Sequence, residues 1–236
     1  LPPSTPKEDP QLVDLLQGEY VSVDDFLDRI TRLEDVLEAR GDTRAIFAAM
    51  YRVLTAKALL YMDAGYFDDR EWTERFVVAF GNLYRQAFLD YETGHVDAIP
   101  QAWRIAFDSR DADGVTVFQH AWLGIHAHIN HDLPFALAEV APYYERAERR
   151  DDFERTNEYL IGSVDDVEEV LATEFDPSLG RLDAELGTLD ETLLRTTLSQ
   201  WRHRAWRHAA LFDGSRSPLE ETASAALLDN VTGRRA

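Results

Sequence analysis

The 236-residue chain has no cysteine, two methionines and only two lysines, Lys7 and Lys57. Without cysteine there is no disulfide, no thiolate ligand for a metal and no cysteine nucleophile. The shortage of lysine is not a shortage of charge: 44 acidic residues stand against 24 basic ones, a formal net charge of -20 carried almost wholly by carboxylates and guanidinium groups. Such a surface repels nucleic acid and anionic membranes, so neither is an expected partner. A heavy Asp/Glu load with lysine nearly absent is the composition expected of a halophilic, archaeal protein, because concentrated salt screens the self-repulsion. There is also no uninterrupted apolar run of 18 residues, which predicts no membrane span. The opening LPPSTPKEDP lacks the charged and apolar regions of a signal peptide, and a cytoplasmic location is expected. Its first residue is Leu rather than Met, so the start reads as trimmed. No Gly-rich phosphate loop and no GxSxG elbow occurs, which argues against P-loop nucleotide hydrolysis and serine-hydrolase chemistry.

What remains is 45% hydrophobic and 11% aromatic, enough for one substantial core. Its periodicity is helical throughout. Ser22 with Asp25 three later reads as a cap for a helix with Phe26, Ile30 and Leu33 on its stripe, ending near Gly41. Thr43 is expected to open the next helix, with Phe47, Met50, Tyr51, Leu54, Ala58, Tyr61 and Met62 in one wedge. Asp68 or Asp69 starts a third, carrying Trp72, Phe76, Phe80 and Tyr84 and closed by Gly94. Pro100 falls in the first turn of a helix bearing Trp103 and Phe107. A single stripe from Phe153 to Phe175 follows the central segment, with Asn157 and Glu168 inside its apolar arc. Pro177 and Gly180 break the chain, a long helix runs from about Asp190 to Phe212, and Ser217-Pro218 opens a short last one ending by Gly233. Together these predict an all-α protein: a single compact multi-helix domain of about eight or nine helices around a central histidine-rich helix, residues 11–236, with residues 1–10 as a flexible N-terminal arm.

The chemistry is concentrated in Gly114–Pro134, which holds His120, His126, His128 and His131. His128 and Asp132, four apart, project from one side of a helix, and an imidazole and a carboxylate so spaced can converge on one ion. His120 and His131 lie within roughly a quarter turn of His128 on the wheel, whereas His126 and Asn130 point the other way. Gly124 leaves room for another group to approach. The candidate metal ligands are therefore His128, Asp132, His131 and His120, for zinc or a similar divalent ion. Glu168, on an apolar stripe and in need of a partner or a proton, is the candidate third ligand or general base, and Asn130 the candidate for orienting substrate; His208 is a weaker donor. The bland alternative has Asp132 capping the helix that follows, with Pro134 at its start, and His128 as a hydrogen-bonded core histidine. Arg202, Arg204, Trp206 and Arg207 could form an anion pocket of guanidinium forks. Two functions follow: a metal-dependent hydrolase acting on a small-molecule substrate, or a non-enzymatic binding or interaction protein whose His/Asn/Asp network is structural.

Three stretches, Pro100-x-x-Trp103-x-x-Ala106-Phe107, Leu123-Gly124-Ile125-x-Ala127-His128-Ile129-Asn130-x-Asp132-Leu133 and Arg204-Ala205-Trp206-x-x-Ala209, resemble an uncharacterised bacterial and archaeal family of domains of unknown function. That resemblance implies a mostly helical soluble domain and draws attention to His128, Asn130 and Asp132. It implies no particular reaction.

Overall fold

In a computed structural model that describes residues 9–141, 145–177, 188–212 and 218–234, the described residues are predominantly helical, with no strand among them. The helices are α1 (Pro10–Leu16), α2 (Val23–Glu38), α3 (Ala45–Asp63), α4 (Arg70–Glu92), α5 (Gln101–Asp108), α6 (Val117–Ala127), α7 (Leu133–Val140), α8 (Arg150–Ile161), α9 (Val164–Glu174), α10 (Thr188–His208) and α11 (Pro218–Gly233). A π turn, His128–Asp132, joins α6 to α7 without a break. Counted as one rod, this pair leaves about ten helices among the described residues, where the sequence suggested eight or nine. One reason is local: the stripe from Phe153 to Phe175 is two helices, divided at Gly162 and Ser163. The Ser163 hydroxyl there donates to the Tyr159 carbonyl at 2.6 Å. Another lies at the start. Asp9 accepts from the amides of Gln11 and Leu12, and Pro10 occupies the first turn, so α1 begins inside the expected arm. Residues 1–8 of that arm, Gly180 and Ser217 lie outside the described residues.

The other helix starts follow the same chemistry. Ser22 Oγ accepts from Asp25 N at 3.1 Å, and Asp69 Oδ1 from Trp72 N at 2.8 Å. Thr43 is not a cap: α3 begins behind Arg44 with no side-chain cap, and the amide of Arg44 is held by Asp42 Oδ1. Gln101, at the exposed start of α5, donates its amide to Asp229 of α11 at 2.6 Å, so one helix caps another across 128 residues.

The core forms three adjoining clusters. The largest joins α1 to α5, with Phe26, Tyr84, Phe88 and Trp103 inside it. A second packs Trp72, Phe76 and Phe80 of α4 against Leu133 and Leu137 of α7, Phe153 of α8 and Trp206 of α10. Ile46, Met50, Ala121 and Leu171 make the third, and Ile125 touches all three. Helix α3 runs between them against α2, α4, α6, α8 and α9, and every residue from Ala45 to Tyr51 is buried. Over 18 residues it is long and apolar enough to cross a membrane, and more than half of that window is buried inside the protein. The π turn lies at this junction, with neighbours on α6, α7, α4, α10 and α11.

Candidate functional site

The π turn has a visible cause in the sequence. Proline has no N–H, so Pro134 cannot bond to the carbonyl of Asn130 as an α-helix requires, and its ring crowds that carbonyl. The backbone widens instead: Leu133 N bonds to the His128 carbonyl, five residues back. Asn130 adapts to the wider turn, donating Nδ2 to the His126 carbonyl at 3.2 Å and accepting from Arg204 of α10 through Oδ1. The freed Asn130 carbonyl has the Thr232 hydroxyl of α11 at 3.5 Å. Asp132 is not the cap expected for α7, whose first residue continues the helical backbone with no side-chain cap.

The Asp132 carboxylate points inward and is 2% exposed. Its Oδ2 accepts from Trp103 Nε1 at 2.8 Å and from His128 Nδ1 at 2.8 Å, and its Oδ1 from His131 Nδ1 at 2.9 Å. Burial alone would raise its pKa, but the bonds from His128 and His131 outweigh burial and hold the carboxyl below its ordinary 3.8. An ionised carboxylate only accepts, so Nδ1 of His128 carries a proton. Burial in turn keeps the His128 imidazole below its ordinary 6.5 in spite of the carboxylate beside it. A neutral ring protonated on Nδ1 must accept at Nε2, and there the Tyr51 hydroxyl donates at 2.8 Å. Burial pushes the Tyr51 hydroxyl well above its ordinary 10, which keeps it a donor. The ring of His128 lies flat on Phe80, centroids 3.5 Å apart, with Phe47 and Tyr51 edge-on.

Every polar atom of His128 and Asp132 is thus bonded within the protein. Among the described residues no three His, Asp or Glu side chains are grouped to hold an ion, so the pair expected to converge on a metal is hydrogen-bonded to itself instead. His120 is elsewhere, its Nδ1 3.0 Å from Ser109 Oγ. His126 is buried with its ring edge-on to Trp201. The anion pocket that these four residues of α10 could have formed, Arg202 among them, is not assembled: Arg204 turns to Asn130, Trp206 packs on Phe153, and Arg207 is exposed.

Arg202 alone of that group faces something open. A partly open cavity of about 160 Å³ runs beside the π turn, walled by apolar side chains of α3, α4, α6, α8, α9 and α10. Phe76, Phe80, Ile125, Leu171, Leu194 and Leu198 make much of its surface. Its polar lining is sparse: Tyr51, Thr55, His128, Thr156, Tyr159, Glu168 and Arg202. Glu168 and His128 therefore border one space, while Asn130, Asp132, His131 and His120 do not. Sequence reading missed Tyr51 and Trp103 as partners of the central pair. Both look like ordinary stripe residues, and only their polar tips, an O–H and an indole N–H that need a mate when buried, hint at the role.

Fold and site together define an all-α domain with a buried His–Asp–Tyr network along one wall of an apolar cavity. The chain belongs to a family of unknown function, DUF5995, whose model matches residues 23–236. No curated protein and no solved structure matches it.

Proposed function

We propose that the chain is a binding protein: the cavity takes up a small apolar molecule, and the Trp103–Asp132–His128–Tyr51 network is the fixed wall that shapes it. The observation carrying this reading is the cavity itself, a concave apolar space with a few converging polar groups, which is the usual form of a small-molecule site. Its volume is close to the roughly 150 Å³ of an engineered apolar cavity that binds benzene. The network suits a structural part, since neither His128 nitrogen has a free lone pair or proton to offer a substrate. Thermal melts with benzene or 1-hexanol test the proposal. Either ligand should raise Tm in a concentration-dependent way, as anything binding the native state does, and Ala121→Phe, which places a ring in the cavity, should abolish the shift. No shift and no heat of binding with either ligand would sink it.

The competing reading is a hydrolase using a divalent ion on His128 and Asp132, with Glu168 as its base. It is favoured by Glu168 and His128 bordering one space. It requires an ion to displace Tyr51 from Nε2 or Trp103 from the carboxylate. One equivalent of metal in tag-free protein, lost in Asp132→Asn with the fold retained, would put this reading first.

A further inference from the structure

Arg202 is 3% exposed, yet its charge is met only by neutral groups. Its Nε donates to Asn157 Oδ1, its Nη2 to Thr156 Oγ1 at 2.9 Å, and its guanidinium lies over Phe153, 5.2 Å from the ring centre. A guanidinium has five N–H bonds; two are spent on Asn157 and Thr156, which leaves three. Among the described residues no carboxylate is within ion-pair distance of it. The nearest acid along its hydrogen bonds is Glu154, reached through Asn157 and itself engaged by Arg150 and His203. Arg44, by contrast, is answered by the carboxylates of Asp42 and Glu92. Arg85 also meets only neutral acceptors, but they include the Leu16 carbonyl at the end of α1, 2.6 Å away, and it is not among the residues that line the apolar cavity.

A buried cation without a counter-charge is costly to the fold, and burial here draws the Arg202 pKa down to about 10. Such a cost is kept where something else supplies the charge. Arg202 lines the apolar cavity, as does Tyr159, whose hydroxyl has no partner among the described residues. Resting on the reading of that cavity as a ligand site, we propose that it binds a small apolar monocarboxylate, with the carboxylate on Arg202 and a body of about six carbons against the Phe/Ile/Leu wall. A planar carboxylate matches a guanidinium fork. A phosphate dianion would bring two negative charges to a wall whose only cation among the described residues is Arg202. The net charge of -20 repels anions at long range, so the attraction has to be local.

Calorimetric titration of the unmodified chain with hexanoate, 1-hexanol and hexylammonium tests this, since the three share one tail and differ in charge. Hexanoate should bind at least about tenfold more tightly than hexanol, as a charge-assisted hydrogen bond implies, and hexylammonium most weakly. Arg202→Met should lose the preference, with hexanol binding at least as tightly as hexanoate. If that variant does not fold, the arginine Nε–H resonances of the unmodified chain decide: saturating hexanoate should shift that of Arg202 and hexanol should not. Equal binding of hexanoate and hexanol, a preference that survives in Arg202→Met, or an Arg202 resonance indifferent to hexanoate would each overturn the carboxylate assignment and leave the apolar site standing. Absence of binding by all three probes would overturn both.

Discussion

Tyr51 of α3 donates a hydrogen bond from its hydroxyl to Nε2 of His128, 77 residues later in the chain and 2.8 Å away. A second buried tyrosine, Tyr84, packs at a tilt in the same aromatic cluster but has no partner for its hydroxyl among the described residues. The pair predicts opposite outcomes for one chemical change. Tyr51→Phe strands a buried acceptor and should cost about 1–3 kcal/mol. Tyr84→Phe removes an unmet polar group and should be neutral or slightly stabilising. Urea unfolding of the two variants decides, and equal losses would mean that the Tyr51 bond contributes nothing of its own.

Asp132 receives three N–H donors from Trp103, His128 and His131. Asp132→Ala leaves all three without their acceptor inside the protein, and a loss of about 3 kcal/mol or more is expected. The loss should be the same with and without EDTA. A loss that EDTA reproduces in the unmodified chain would instead assign the carboxylate to a metal.

Stability should fall on acidification from near pH 6.5 downward. Burial depresses the folded-state pKa of His128, and of His120, below the ordinary 6.5, so the unfolded chain binds more protons as the pH drops through that value. The stabilisation is fully present above 6.5 and is lost as pH falls. Asp132 acts in the same sense at lower pH, being depressed from 3.8. His128→Gln should flatten the slope of Tm against pH between about 6.5 and 5, and an unchanged slope in that variant would remove His128 from the account.

Gly124 lets α6 lie directly on α3. A methyl group there would come within 2.3 Å of the Phe47 ring, which is itself wedged among Tyr84, Trp103 and His128. Alanine is the better helix former by about 1 kcal/mol, yet Gly124→Ala should destabilise by about 1–3 kcal/mol because the ring has to leave its edge-on contacts with Trp103 and His128 and shift toward the cavity it lines. Chemical denaturation gives the sign, and a stabilised variant would show that the contact yields.

Much of the fold was legible because caps and stripes are local. Ser22, Asp69 and Gly94 act where their chemistry says they should, and Gly124 admits the close neighbour its missing side chain invites. The pairing of His128 with Asp132 was legible too, from spacing alone, but its meaning was not. Whether two such groups share an ion or a proton depends on what faces them, and Tyr51 and Trp103 come from helices far along the chain. Arg202 looked like one of three similar arginines, and only tertiary packing separates it from Arg204 and Arg207. The division at Gly162 was hidden because the apolar stripe resumes almost in phase after Ser163.

The π turn at His128–Asp132 also works as a phase slip. Steps of three to four residues from Ala121, Gly124 and His128 extrapolate to His131, Phe135 and Ala138, all only half-buried, whereas the fully buried positions of α7 are Leu133, Ala136 and Leu137. Two helices therefore follow one another without sharing a register, and one inserted residue rotates the second so that its apolar side meets α4 and α10. Deleting a single residue within 128–132 would not simply shorten the rod. It would turn the whole of α7 by about 100° and present Phe135 and Ala138 to a core shaped for Leu133 and Leu137.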